Sequence, residues 1–476
     1  MAGFKEVLKH SRNYFFASIA TKGLAFISIP IYTRILSTND YGIVSIFLGL
    51  IGIFSVVMCF SVDRSVSRYF YDQKDEQDFK RFVGTSSIAS IAFFIATSLL
   101  LFLFADKFGN LVGLSKNTVY LIIPISIIEV IGLTFQQIYG PLKKSKTIAI
   151  ASLFRVYLGF VFSVILILLF SNNKYIGQII GQVIAGTLMI IYWLRKIKPY
   201  FVLSFDSSYL KYIFTYSVPL IPYALSSVII AQFGKIALGS SQAFSDAGYY
   251  SIALAVSSIV SIIISIGHEA WNPYFMEYMN AKNYTQIDRD FSKIFKITVI
   301  CALGIASFGK EIGLVLAKKE FTEALYLVPI LTIGYVFYQF SYVYLRNFGY
   351  SKKTHFATIV VFISGLSNIL LNIILIKKYG EFGVAISFTF SYIIMAFFGW
   401  LFNKYFVKLH STPLKIMLVP LIIMALFYTA LYAIIPIKSI VLSIFLKVIL
   451  ISFFIVIILW KDKKEIEFFL KRFLKH

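Results

Sequence analysis

Residues 13–36 read NYFFASIATKGLAFISIPIYTRIL, and residues 42–63 read GIVSIFLGLIGIFSVVMCFSVD, with the short turn Ser37-Thr38-Asn39-Asp40 between them. Each stretch has the ~20 largely apolar residues that a helix needs to cross hydrocarbon, so the pair reads as two membrane-spanning helices. Lys22 sits nine residues after Asn13, which at ~1.5 Å per residue puts its ammonium roughly 14 Å deep. A charge there costs several kcal/mol unless it faces a cavity or a partner. The second helix ends in Asp63 and Arg64, with Arg68 four residues on and so on the same face as Arg64. Cations carried inward on such a unit suggest a path for an anion.

The rest of the chain has the same character. It is 59% hydrophobic and 14% charged, with mean hydropathy +0.81, which excludes an ordinary soluble globule. Net charge is +23, but the basic residues follow membrane topology and imply no nucleic-acid partner. Cys59 and Cys301 both lie in apolar helices and read as small buried hydrophobes. The amino-terminal apolar stretch outruns a signal peptide, and no clear cleavage site follows it.

Working outward, further spans are predicted at 82–104, 119–140, 148–170, 176–195, 214–235, 248–270, 294–316, 325–346, 357–376, 383–403, 414–435 and 440–460, about fourteen in all. An even number returns both termini to one side. With that side cytoplasmic, roughly two thirds of the 45 lysines and arginines fall in inside segments, as the positive-inside rule requires. Residues 461–476 place Ile466, Phe469, Leu470, Phe473 and Leu474 on one helical face, the pattern of an amphipathic helix on the inner leaflet.

The chain also repeats itself. Asn39-Asp40-Tyr41-Gly42 returns as Ser245-Asp246-Ala247-Gly248, and Tyr175-Ile176-Gly177 as Glu381-Phe382-Gly383, both at an offset of 206. Arg68-Tyr69-Phe70-Tyr71 is echoed by Pro273-Tyr274-Phe275-Met276, and Lys144-Ser145-Lys146-Thr147 by Ser351-Lys352-Lys353-Thr354. Six helices per repeat make a parallel repeat, the two bundles being related by an axis along the membrane normal. The predicted fold class is therefore an all-α polytopic membrane protein: residues 1–200 and 201–408 as six-helix bundles, 409–476 as two extra helices and a tail.

This plan, with Pro219-Leu220-Ile221-Pro222 opening the seventh helix, Lys235-Ile236-Ala237-Leu238-Gly239 closing it and Gly248-Tyr249-Tyr250-Ser251 beginning the eighth, resembles the polysaccharide flippases of the multidrug/oligosaccharidyl-lipid/polysaccharide exporter superfamily. The likeness is to the O-antigen type. It implies movement of an undecaprenyl-diphosphate-linked repeat unit between leaflets by alternating access, in a bacterial inner membrane, with H+ or Na+ as coupling ion and polymerase machinery as partner. Where members often carry an Asp-Arg pair, this chain has Gly234 and Lys235, so a salt bridge is not expected there.

The chemistry of such a substrate matches the residues. Sugar hydroxyls need a wet, protein-walled cavity, and a diphosphate needs Lys or Arg. The substrate candidates are Lys22, Arg34, Arg64, Arg68, Arg155 and Lys235; for Lys22, Arg34 and Lys235 the alternative is snorkelling to the interface, for Arg64 and Arg68 anchoring at the inner face under the positive-inside rule, for Arg155 an ion pair with Glu129. Glu129, His268 and Glu269 are candidates for ion coupling. Ser364, Asn368 and Asn372 form a polar stripe read first as interhelical glue, and Lys447 as a packing or headgroup contact. No phosphate loop, His-Glu-x-x-His or Cys-x-x-Cys appears, so neither a catalytic constellation nor a metal or cofactor is expected. Two rivals stand beside the flippase. A membrane-embedded polysaccharide polymerase or ligase would be expected to carry a substantial external loop, and a drug or cation antiporter of the same fold would favour cavity carboxylates over cations.

Overall fold

The structure, a computed structural model, describes residues 20–21, 23–24, 26–434 and 439–459. Every regular element among the described residues is helical, and 12 helices are long and apolar enough to cross a bilayer. The difference from fourteen has two sources. The first expected span lies partly outside the described residues, with 26–35 helical. The eleventh and twelfth merge into one stretch, Thr354–Val407, of 54 residues.

Unbroken, that stretch would measure roughly 80 Å against ~30 Å of hydrocarbon. It is broken at Gly380, whose φ of 52° and ψ of −133° lie in a region that a side chain all but forbids. The helix therefore turns back there, and two spans result. Some helices are capped by side chains: Ser37 accepts from the amide of Asp40, and Asp75 from that of Asp78. Side chains such as Leu103, Leu169, Val441 and Phe445 are exposed, as lipid contact requires. The protein is a multi-pass membrane protein.

By packing, the described residues form two compact units. One runs to Ser251 and adds Val315–Thr322 and Gly365–Val384; the other comprises Ile252–Leu314, Glu323–Ser364 and the part from Ala385 onward.

In the first unit the two copies of the repeated motif meet. A Cβ on Gly42 would lie 1.7 Å from the carbonyl oxygen of Phe244, and one on Gly248 2.7 Å from that of Thr38. Thr38 Oγ1 and Ser245 Oγ are 3.1 Å apart, and the Ser45 hydroxyl reaches the Ala247 carbonyl at 3.4 Å. Between membrane helices, where lipid is as apolar as leucine, association relies on such close approach. The same unit holds an aromatic core in which Tyr69 stacks on Phe82 at 3.8 Å.

The second unit is held by buried polar contacts. Asn347 Nδ2 donates to Asn403 Oδ1 at 3.0 Å and to the His410 carbonyl at 2.9 Å. Lys447 pairs with Glu311 at 2.6 Å, fixing the Ile440–Leu459 helix to the Tyr284–Leu316 helix. Ser364 of this unit is buried, as are Asn368 and Asn372 of the first unit, where Asn372 Nδ2 donates to the Asn368 carbonyl at 2.8 Å. The 461–476 tail lies outside the described residues.

Candidate functional site

The Thr38–Cys59 helix stops because Phe60 and Ser61 both adopt left-handed backbone, φ 52° and 53°, at a cost of order 1 kcal/mol or more each. A new helix, Val62–Tyr69, starts at a changed angle and buries Val62, Ser65, Val66 and Tyr69, the i, i+3, i+4, i+7 stripe. Arg64 and Arg68 are left together on the opposite, exposed face.

That face borders a cavity of about 610 Å³ lined by Arg64, Ser67, Arg68, Tyr71, Gln137, Tyr216 and Leu220. Gln137 comes from the Ile122–Tyr139 helix and Tyr216 from the Ser207–Ser217 helix. Arg68 is steadied by Asp72 at 3.1 Å, which also accepts the Tyr212 hydroxyl at 2.6 Å. Asp78 accepts Tyr69 at 2.9 Å and Tyr209 at 2.5 Å, binding the short helix to the Ser207–Ser217 segment. Asp206 caps that segment; the Ser208 hydroxyl and amide hold its carboxyl below the usual carboxylate range. Two guanidiniums flanked by amide, hydroxyl and aromatic groups can bind phosphate oxygens bidentately and hydrogen-bond or stack against a sugar.

The other candidates are dispersed. Arg155 donates to Gln182 at 2.9 Å and pairs with Glu129 at 3.3 Å, the ion-pair alternative. Arg34 turns back onto the Pro30 carbonyl at 2.7 Å, and Lys235 bonds Gln232 at 3.0 Å. His268 is buried against Gln339 at 2.7 Å, whereas Glu269 is exposed, so these neighbours do not share a setting. Lys22 lies outside the described residues.

A family model described as polysaccharide biosynthesis protein matches residues 7–279, more than half of the chain. The chain belongs to the polysaccharide biosynthesis protein family. This family member is 24% identical to an uncharacterized membrane protein of Methanocaldococcus jannaschii over 84% of both chains. It is 22% identical to a probable low-salt glycan biosynthesis flippase of Haloferax volcanii over 82% of both. In fold it is similar to the lipid II flippase MurJ in an inward closed conformation, with TM-score 0.69 and 16% identity over 94% of this chain and 99% of that one. The resemblance read from the sequence thus holds at the level of family and fold.

Sequence reasoning did not foresee Ser67, Gln137 or Tyr216 as lining. Gln137 and Tyr216 lie far from the arginines along the chain, and no motif singles them out. Tyr71 was noticed only as part of the repeat.

Proposed function

We propose that this polysaccharide biosynthesis protein is a flippase that carries an undecaprenyl-diphosphate-linked oligosaccharide from the inner to the outer leaflet of the plasma membrane by alternating access, both termini being cytoplasmic. The observation that carries the reading is the cavity with Arg64 and Arg68 on one wall and Gln137, Tyr71 and Tyr216 beside them. Its 610 Å³ falls within the ~300–1,000 Å³ of small-molecule sites, enough for the diphosphate end and the first sugar rather than a whole repeat unit. The prenyl tail stays in lipid. With the interior negative, outward movement of each negative charge gains ~2.3 kcal/mol per 100 mV, and an H+ or Na+ gradient resets the carrier through Glu129, His268 or Glu269. A polymerase acting on the product is the expected partner.

The test is transport in sealed vesicles loaded with the lipid-linked oligosaccharide, read by access of an impermeant glycosidase. Doubly substituted Arg64→Gln/Arg68→Gln protein should insert normally and lose transport at least tenfold. Transport at the unsubstituted rate would overturn the assignment, and formation of new glycosidic bonds by the pure protein would favour a polymerase instead.

A further inference from the structure

The second unit holds a cation in an unusual setting. Arg346 lies four residues before the Val328–Tyr350 helix ends. Its guanidinium carbon is 5.3 Å from the Trp271 ring centre, 5.8 Å from Phe275 and 5.2 Å from Tyr342. Nη2 donates to the His268 carbonyl at 2.5 Å, and no carboxylate pairs with it among the described residues. The His268 ring stacks on Tyr342 at 3.7 Å, and its Nε2 is 2.7 Å from Gln339 Oε1. The whole cluster is thus one contiguous packing unit, with His268, Trp271 and Gln339 only 1%, 4% and 0% exposed.

Its unmet needs are mostly of one sign. Arg346 Nη1, Trp271 Nε1 and Gln339 Nε2 are buried donors with no acceptor among the described residues; His268 Nδ1 is the remaining unpaired atom. A buried unpaired donor is destabilising, more so when charged, and the half-buried Arg346, whose Nη1 is buried, gains from a counter-charge beside it. Aromatic faces offset part of the charge but leave the in-plane donors unmet. Water would meet the donors but not the charge. An anionic oxygen meets both.

We propose that Arg346, Trp271 and Gln339 form a binding site for a phosphate oxyanion. Arg346 supplies the charge and a forked donor, Trp271 and Gln339 add neutral donors, and His268 positions Arg346 through its carbonyl. Two sources offer this chemistry: a phospholipid headgroup, or the diphosphate of a lipid-linked sugar. Only the second rests on the flippase reading above; the site itself stands on the geometry of this unit.

The experiment uses the full chain in a phosphate-free maltoside detergent. Inorganic pyrophosphate and, separately, a short-chain phosphatidylglycerol are titrated while tryptophan emission is read. The chain has 4 tryptophans, so Trp271→Phe identifies the reporter. A saturable change is expected, absent in Trp271→Phe, with apparent affinity reduced at least tenfold in Arg346→Gln and less in Arg346→Lys, which keeps the charge and a compact fold. Response to phosphatidylglycerol that displaces pyrophosphate makes the headgroup the occupant; response to pyrophosphate alone makes it the diphosphate. No Trp271 signal with either probe, or an Arg346→Gln and Arg346→Lys response equal to that of the unsubstituted protein, overturns the site. Arg64→Gln/Arg68→Gln protein should retain this response while losing transport, so the two proposals fail separately.

Discussion

Replacing Gly42 by alanine should destabilise the first unit by about 2 kcal/mol. The new Cβ would sit 1.7 Å from the Phe244 carbonyl oxygen and 3.1 Å from the Gly248 nitrogen, where carbon makes its best non-bonded contacts near ~3.5–4.0 Å. The obstacle is backbone, so no rotamer change relieves it, and the two motif copies must part by roughly 1.5 Å or more. Overpacking of this kind costs typically ~1–3 kcal/mol and occasionally more. Alanine's better helix propensity returns about 1 kcal/mol. Because the clash is at the severe end, a net loss remains. The assay is reversible unfolding in mixed micelles, with Gly304→Ala as reference. A Cβ on Gly304 meets nothing within 4 Å, so that variant should gain ~0.5–1 kcal/mol from propensity alone. If Gly42→Ala unfolds together with Gly304→Ala, the backbone contact between the repeated motifs does not exist and the reasoning fails.

Lys447→Met strands the Glu311 carboxylate and should cost ~3–5 kcal/mol, while adding Glu311→Gln should recover most of it; a double-mutant cycle with simply additive effects would refute the pair. Asn403→Leu leaves Asn347 Nδ2, which now donates to Asn403 Oδ1 at 3.0 Å, short of one partner, and should lower stability by ~1–3 kcal/mol in the same unfolding assay. The Asp206 carboxyl is held below its ordinary range by Ser208, so its cap contributes above the unfolded carboxylate pKa and fades as pH falls through the lower folded value. Amide protection factors in Ser207–Ser217, taken relative to the intrinsic exchange rate at each pH, should therefore fall on acidification in the unsubstituted protein, and an Asp206→Asn variant should show no such step.

Much was written in the local sequence. Hydrophobic length alone marks a helix as membrane-spanning, because hydrocarbon tolerates only backbone that satisfies itself, and so a bundle of about fourteen spans was legible without any contact being known. The same holds for Arg64 and Arg68, which share a face because a helix puts every fourth residue in line. The repeat was legible too, as an offset that stays within one residue of 206. What tertiary structure alone decided is where those local features point. The paired glycines of the repeat were visible as a motif, but only packing shows that Gly42 and Gly248 press their backbones together. The breaks at Phe60 and Ser61, which turn the two arginines toward Gln137 and Tyr216, carry no glycine or proline to announce them; surrounding contacts impose them against local preference. No motif marks Arg346 in the local sequence, and its aromatic box forms because Trp271 and Phe275 arrive on another helix. Span length and facial periodicity are properties of neighbouring residues and survive in a single chain, whereas cavities, ion pairs and unmet donors are relations between distant segments that come into being only when the helices pack.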